Sequence, residues 1–408
     1  MAAEPRTIRL VYITTVPITL NFIKGGLARY VKARGIEFHA LSSPGEELDR
    51  FGAGEGVPVH AIGMSRRITP LRDLGALFEL WRRLRRIGPE IVHAGTAKGG
   101  LLGIIGAWLA RVPVRIHCIH GIGFVTATGY KRILLRCSDK VSCLLAHQVL
   151  CASHSIRQIA VEEGVCPSAK AKVLLHGSFS GVDAGGRFNP ARFGEIARRD
   201  TRAQYGIPDD ALVVSFVGRI VRDKGLVELV GAWKMLRERF TTLHLLVAGP
   251  FEPQDPVPPD VKQAMRNDPR VHLPGFVDDV PRVYAITDVL ALPTYREGFG
   301  QVIIEASAME VPVVATRIPG CVDSVQDGVT GTLVPPRDAQ ALADAIQMYL
   351  NDPDLRREHG RAGRERALRD FRPETIWAAT YEEYVRLLRK RRLPVPIPQP
   401  LLAEAPVD

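Results

Sequence analysis

Two carboxylates bracket a glycine turn in the stretch YREGFGQVIIEA: Glu297 stands just before Gly298-Phe299-Gly300, and Glu305 lies within the apolar run that follows. DVLALPT precedes the stretch, so it reads as strand, glycine loop, helix. Unpaired N–H groups at a helix N-terminus and the helix dipole favour an anion there. Glycine lets the backbone approach that anion closely. The carboxylates suit a different task, because they accept hydrogen bonds from hydroxyls. Two cations that could hold an anion, Arg219 and Lys224, occur in FVGRIVRDKG, just past another expected strand. In open α/β sheets ligands lie outside the carboxyl ends of strands. Arg219 can fork onto phosphate oxygens and Lys224 can add a point charge. A lone Glu-Gly or a lone pair of loop cations reads as a solvated turn. Acids, glycine loop and cations together suit a ligand with a central diphosphate and hydroxyl-bearing sugars at both ends, as in a nucleotide-sugar.

The elements that must position these residues alternate in type. IRLVYITTV, IVHAG from Ile91, VRIHCIHG from Val114 and QVLCAS from Gln148 read as strands, and SHSIRQIAVEEG as a helix capped by Ser and closed by Gly. LLHGSFSGVDAGGRFNPARFGE follows neither helical nor strand periodicity and reads as a linker. The rhythm then restarts with ALVVSFVGRI, the amphipathic helix GLVELVGAWKMLRERF and the strand LHLLVAG, with VPVVAT beyond the glycine loop. Alternating strands and helices predict an α/β protein with parallel sheets covered on both faces. A length of 408 residues suits two such domains. The expected division is 1–185, 186–372, a C-terminal helix over 373–393 (PETIWAATYEEYVRLLRKRR) and a Pro-rich disordered tail over 394–408.

VGRIVRDKGL, VHLPGFVDDVPRVYAITDVLALPTYREGFGQVIIEASA and VPVVATRIPGCVDSVQDGVTGTLVPPRD resemble the C-terminal half of the retaining glycosyltransferases of family 4. The Glu-x7-Glu spacing at Glu297 and Glu305 is that family's signature, and the similarity covers nearly all of 210–350. The resemblance implies the GT-B fold: two Rossmann-like domains facing each other across a cleft, with a C-terminal helix returning to the first. It also implies roles. Arg219 and Lys224 would bind the donor diphosphate and stabilise the leaving group. Glu305 would hold the ribose hydroxyls. Glu297 would contact the transferred sugar, supported by the backbone of Gly298, Phe299 and Gly300. One departure is Glu310, where many members have glycine; it reads as a surface-turn change. Gly25 and Gly26 in IKGGLARY resemble the family's glycine loop facing the donor diphosphate, although spacing alone equally describes an ordinary turn. His120 matches a histidine placed near the reacting sugar. A metal shared by His117 and His120 is not expected, since these positions on a strand point to opposite faces. Asp352 and Asp354 in NDPDLRR flank a proline and read as a helix start. No metal or other cofactor is expected.

The first half bears on the acceptor. SRRITPLRDLGALFELWRRLRRIGPE and TATGYKRILLRCSDK set arginines and lysines beside apolar residues, which suits an anionic membrane surface or simply a solvated helix face. With VHAGTAKGGLLGIIGAWLARVPVRIHCIHGIGF they resemble transferases that extend polyprenyl-diphosphate-linked sugars. That resemblance makes Lys98, Lys131 and Arg132 candidates for the acceptor's phosphates, and implies a UDP-sugar donor and a place at the cytoplasmic face of the membrane.

Bulk properties agree with this reading without selecting it. The net charge of +10 is compatible with nucleic acid, anionic lipid or a phosphorylated substrate, and no nucleic-acid partner is expected. Six cysteines without a Cys-x-x-Cys pair read as small core residues in a reducing compartment. The N-terminus lacks a signal-peptide pattern, and the apolar run Gly99 to Ala110 is too short to span a bilayer. Rival readings are a sugar-nucleotide epimerase or hydrolase on the same scaffold, a transferase with another acceptor, and a non-enzymatic binding protein built on an inactive transferase. A dinucleotide-binding dehydrogenase is disfavoured, as no Gly-x-Gly-x-x-Gly opens the first helix.

Overall fold

Runs of Val, Ile and Leu without polar alternation form strands that are covered on both faces, which is the signature of a parallel sheet. The computed structural model describes residues 7–22, 26–67, 69–253 and 255–396. Two compact units divide the chain: 1–180 with 373–408, and 181–372. The division falls within the expected linker, a few residues ahead of 185, and the terminal segment rejoins the first unit.

The first unit holds seven strands: β1 (Ile8–Ile13), β2 (Ile36–Ser42), β3 (Val59–Ala61), β4 (Ile91–Gly95), β5 (Val114–Ile119), β6 (Gln148–Cys151) and β7 (Ala171–Lys172). They pair in parallel in the order β3-β2-β1-β4-β5-β6-β7. The chain winds outward from β1 to β3, then returns beside β1 as β4, so the winding reverses between β1 and β4. One apolar cluster joins the sheet to Leu80, Leu84, Ile104 and Ile156 of the helices Pro70–Ile87, Ala97–Leu109 and His154–Glu162. Ser153 caps the last of these, its hydroxyl accepting from the Ile156 N–H at 3.3 Å.

A second cluster joins the sheet to Leu27, Val31, Phe51 and the C-terminal helix Pro373–Lys390. That helix inserts Tyr384, Leu387 and Leu388 into the cluster. It is anchored by a buried polar contact, since Tyr384 Oη lies 2.6 Å from His93 Nδ1. His93 Nε2 in turn lies 2.6 Å from Cys118 Sγ. The chain beyond the helix is not disordered from 394: Val395 packs against the same cluster and Pro396 is buried. Residues 397–408 lie outside the described residues.

The second unit holds β8 (Leu212–Val217), β9 (Leu243–Ala248), β10 (Val271–Gly275), β11 (Val289–Leu292), β12 (Val313–Thr316) and β13 (Gly331–Val334), in the parallel order β10-β9-β8-β11-β12-β13. Here the winding reverses between β8 and β11. Both units are thus doubly wound, Rossmann-like sheets. Asp352 caps the helix Pro353–Asp370, its carboxylate accepting from the N–H groups of Asp354 (3.0 Å) and Leu355 (2.9 Å), as the acid-proline pattern predicts.

Among the described residues all six cysteines are free; five are buried, as expected, and Cys137 is exposed instead. No described helix is long and apolar enough to cross a membrane.

Glu310 is more than a surface change. It sits in left-handed conformation at φ 61°, the region that favours glycine. Its carboxylate lies a loose 3.6 Å from Arg364 Nε, and Arg364 is also held by the carbonyls of Ala308 (2.5 Å) and Phe188 (3.3 Å). Relief of backbone strain therefore outweighs loss of the ion pair. Glu310→Gly should stabilise the protein by about 0.5–1 kcal/mol, read as a higher urea midpoint; an unchanged or lower midpoint would show that the ion pair wins.

Candidate active site

In the second unit the loops after β8 and β11 carry the expected donor residues. They are neighbours only because these two strands flank the winding reversal, the place where open α/β sheets leave a crevice. Asp223 ties the two loops together. Its carbonyl accepts from the Tyr295 N–H at 2.8 Å and from the Thr294 hydroxyl at 3.1 Å. Its carboxylate pairs with Arg296 at 2.8 Å. Tyr295 adds a third tie, its hydroxyl donating to Glu228 at 2.6 Å.

Within this frame Lys224 donates to the Glu297 carboxylate, and both side chains are largely covered. Arg219 pairs with Glu252 at 2.7 Å while its guanidinium remains half exposed. The glycine turn is built as its sequence requires. Gly300 is at φ 76° and starts the helix Gln301–Ala308. Phe299 is buried edge-on against Phe371, with ring centroids 5.3 Å apart, so the turn is pinned from below. Gly320, at φ 87°, lies so close that an added Cβ would come within 2.8 Å of the Gly298 carbonyl carbon. Sequence reasoning missed Gly320, although the turn-forming RIPGC after VPVVAT marks the position.

Glu305 lies further along the helix. The Tyr284 hydroxyl donates to its carboxylate at 3.3 Å, and Tyr284 is itself fully buried. Burial raises the Glu305 carboxyl to about 7, against partial relief from the hydrogen bonds of Tyr284 and Gln301 and the charge of Arg187. Arg219, Lys224, Glu297, Gly298, Phe299, Gly300 and Glu305 all belong to the second unit, on the loops and helix that follow β8 and β11.

The first unit repeats the pattern at its own reversal. The Thr15 hydroxyl, after β1, lies 2.6 Å from that of Thr96, after β4, and accepts from the Gly99 N–H at 2.8 Å. Just beyond β5, His120 lies over Gly95 and against the Phe179 ring, with centroids 4.7 Å apart. Burial lowers its pKa to about 4, so the imidazole is neutral at pH 7. Its Nε2 is buried with no hydrogen-bond partner among the described residues. An orphan of this kind is costly unless a ligand completes it. His117 Nδ1 is likewise unpartnered. Among the described residues, no group of three or more His, Cys, Asp or Glu side chains is placed to hold a metal ion.

The remaining expected residues fare differently. Gly25 lies outside the described residues. Gly26 has a packing reason of its own: an added Cβ would fall 1.8 Å from the Trp377 ring of the C-terminal helix. Lys98 is tied to Asp73 at 2.6 Å and donates to the Arg67 carbonyl, with its side chain 11% exposed. That pairing occupies Lys98 with a carboxylate, as Glu297 occupies Lys224 in the second unit. Lys131 and Arg132 are exposed on the helix Gly129–Leu145, where Arg132 pairs with Glu163 at 3.3 Å.

A carboxyl near 7 in the folded chain and at its ordinary 4.5 when unfolded keeps its proton longer in the folded state. Its contribution to stability is therefore largest below pH 4.5 and declines as pH rises towards 7. Glu305→Gln removes that slope. Relative to the parent, the variant should gain about 2 kcal/mol on moving from pH 5 to pH 8. Urea unfolding at both pH values checks this, and an equal difference at both would show that burial does not perturb the acid.

The family model "Glycosyl transferase 4-like domain" matches residues 25–177, and "Glycosyl transferases group 1" matches 197–366. The Staphylococcus aureus capsular polysaccharide biosynthesis glycosyltransferase CapM is 30% identical over 94% of this chain and 98% of its own. An Escherichia coli UDP-Gal:alpha-D-GlcNAc-diphosphoundecaprenol alpha-1,3-galactosyltransferase is 25% identical over 72% of this chain and 74% of its own. The crystal structure of Anabaena HepE in complex with UDP and glucose superposes with a TM-score of 0.76, covering 92% of this chain and 99% of that one at 20% identity, a likeness of fold. The two doubly wound units, the matching models on each and the full-length relative together make this chain a glycosyltransferase of the GT-B, family 4 type.

Proposed function

We propose that the protein transfers one sugar from a UDP-sugar to a polyprenyl-diphosphate-linked glycan, with retention of configuration, in cell-surface polysaccharide synthesis. The observation that carries this reading is the Lys224–Glu297 pair at the reversal of the second sheet, with Arg219 and Glu305 on the same two loops and following helix. Lys224 and Arg219 supply the positive charge that a departing diphosphate needs. Glu305, with its affinity for a proton raised by burial, suits a pair of ribose hydroxyls that donate to it. Glu297 faces Lys224 and is available to a hydroxyl of the transferred sugar. The neutral, unpartnered Nε2 of His120 suits a hydroxyl of the sugar or acceptor.

In the reaction the bond from the anomeric carbon to the diphosphate oxygen breaks and the acceptor oxygen bonds to that carbon on the same face. The acceptor's hydroxyl proton passes to a leaving phosphate oxygen. The chain's residues position the partners and offset the developing charge.

The acceptor half of the reading draws on the relatives' substrates and on the surface of the first unit. Leu71, Leu74 and Phe78 form an exposed apolar stripe on the helix Pro70–Ile87, flanked by exposed Arg72, Arg82 and Arg85. Tyr130 and Ile133 are exposed beside Lys131 and Arg132 on the helix Gly129–Leu145. Apolar side chains ringed by cations suit a peripheral site on an anionic bilayer, here the cytoplasmic face of the plasma membrane.

The test is a release assay across a panel of UDP-sugars with polyprenyl-diphosphate-sugar acceptors. Lys224→Ala, Arg219→Ala and Glu297→Ala should each lower transfer by about a hundred- to a thousandfold with unchanged circular dichroism. Turnover near the parent level in all three would remove the site assignment. NMR of the product should show the donor's anomeric configuration, and the opposite anomer would exclude retention. A parallel incubation without acceptor separates transfer from epimerisation, which needs only the donor.

A further inference from the structure

The opposite edge of the first sheet, at the starts of β5, β6 and β7, is not flat. It contains a cavity of about 590 Å³, closed on one side by the last turns of the helix Pro373–Lys390. Five cations line it: Lys170, Lys172, Arg386, Lys390 and Arg391. Among the described residues the one carboxylate paired with any of them is Glu383, which is buried and already shared by Lys172 (2.7 Å) and Arg386 (2.6 Å). Lys170 is held by backbone carbonyls, those of Leu144 (2.7 Å) and Ala146 (2.8 Å), and Arg115 beneath it donates to the Leu145 carbonyl at 2.9 Å. These carbonyls orient the cations without cancelling their charge. Neither Lys390 nor Arg391 is in an ion pair among the described residues.

His147 completes the wall. Its Nδ1 accepts from the Arg115 N–H at 3.1 Å, so the neutral ring carries its proton on Nε2, as a further donor. Burial first, and then Arg115, Arg391, Lys170 and Lys390, hold its pKa down to about 3. The ring thus registers an uncompensated positive field. A solvated basic face would leave such side chains spread over a convex surface; here they line a concave one, with Lys170 held by carbonyls and Lys172 and Arg386 held by Glu383.

We propose that this cavity is an anion site for a phosphate-bearing group, a phosphomonoester or diphosphate, separate from the strand ends that carry the transfer chemistry. The cation excess matches a group of more than one negative charge, and the fork of Arg391 with the Nε2–H of His147 supplies directional donors. A soluble phosphate compound and a lipid headgroup offer the same chemistry.

Two measurements on the intact protein test the site. In the first, inorganic pyrophosphate is titrated while the His147 imidazole signals, assigned with His147→Gln, are followed by NMR. A charge-reversed variant leaves the donor loops of the other unit unaltered, so its comparison with the parent shows whether these signals report the cavity. In the second, flotation measures retention by vesicles containing phosphatidic acid, whose headgroup is a phosphomonoester. The charge-reversed pair Lys390→Glu with Arg391→Glu, at exposed side chains, is compared with the parent in both. A saturable His147 shift with pyrophosphate, weakened about tenfold or more in the variant, supports a soluble phosphate ligand. Vesicle retention that the variant loses, without a pyrophosphate response in the parent, supports a headgroup. The proposal is overturned if the parent's His147 signals ignore pyrophosphate and both proteins float alike, or if parent and variant respond to pyrophosphate equally.

Discussion

The reversal of winding in each parallel sheet is the constraint on which the rest depends. Where β8 and β11 lie side by side, the helices that follow them leave on opposite faces, and the loops at that point have no helix between them. Asp223 closes the gap from one side by accepting from Tyr295 and Thr294 and pairing with Arg296. Lys224 can then meet Glu297, which is 73 residues away in the chain. Without that crossing, the cation and the carboxylate would be two solvated loop charges of little energetic weight. With it, they are largely covered and face each other before any ligand arrives.

The electrostatics of the two units are complementary in kind. The second unit gathers formal charge, Lys224 and Arg219 against Glu297 and Glu252, together with an acid whose proton affinity is raised by burial. The first unit presents neutral groups at its reversal: His120 and His117, both driven well below their ordinary values by burial, and the paired hydroxyls of Thr15 and Thr96. Neutral donors and acceptors suit recognition of hydroxyls, and full charges suit a diphosphate. This division follows from local dielectric, since the same burial that keeps the imidazoles uncharged raises the proton affinity of Glu305.

The C-terminal helix Pro373–Lys390 does two jobs in the first unit. Its apolar side, through Tyr384, Leu387 and Leu388, completes the core on one face of the sheet. Its polar side, through Glu383, Arg386 and Lys390, walls the basic cavity at the strand starts. Trp377 fills the space above Gly26, so a glycine that resembles a ligand-facing loop also has a packing role.

Much of the fold and part of the site were legible in the sequence because they are encoded by neighbouring residues. The long apolar runs at Ile8, Ile91, Val114 and Leu243 became strands, Ser153 and Asp352 became caps, and the glycine loop at Gly300 became a left-handed helix start. Short or mixed strands such as β3, β7 and β13 were missed, being two to four residues long and set by their pairing partners. Contacts between distant residues were not legible at all. Lys98 reads as a free cation in its own segment and is paired with Asp73; Glu310 reads as a plain surface acid and lies in a strained conformation; the cations of the basic cavity come from two distant stretches of chain, Lys170 with Lys172 and Arg386 with Lys390 and Arg391. By itself, then, the sequence determined the types of element, their order and the chemistry that each loop carries. The tertiary structure decided which charges meet and which stay unpaired, because periodicity specifies local conformation while sheet order specifies neighbours.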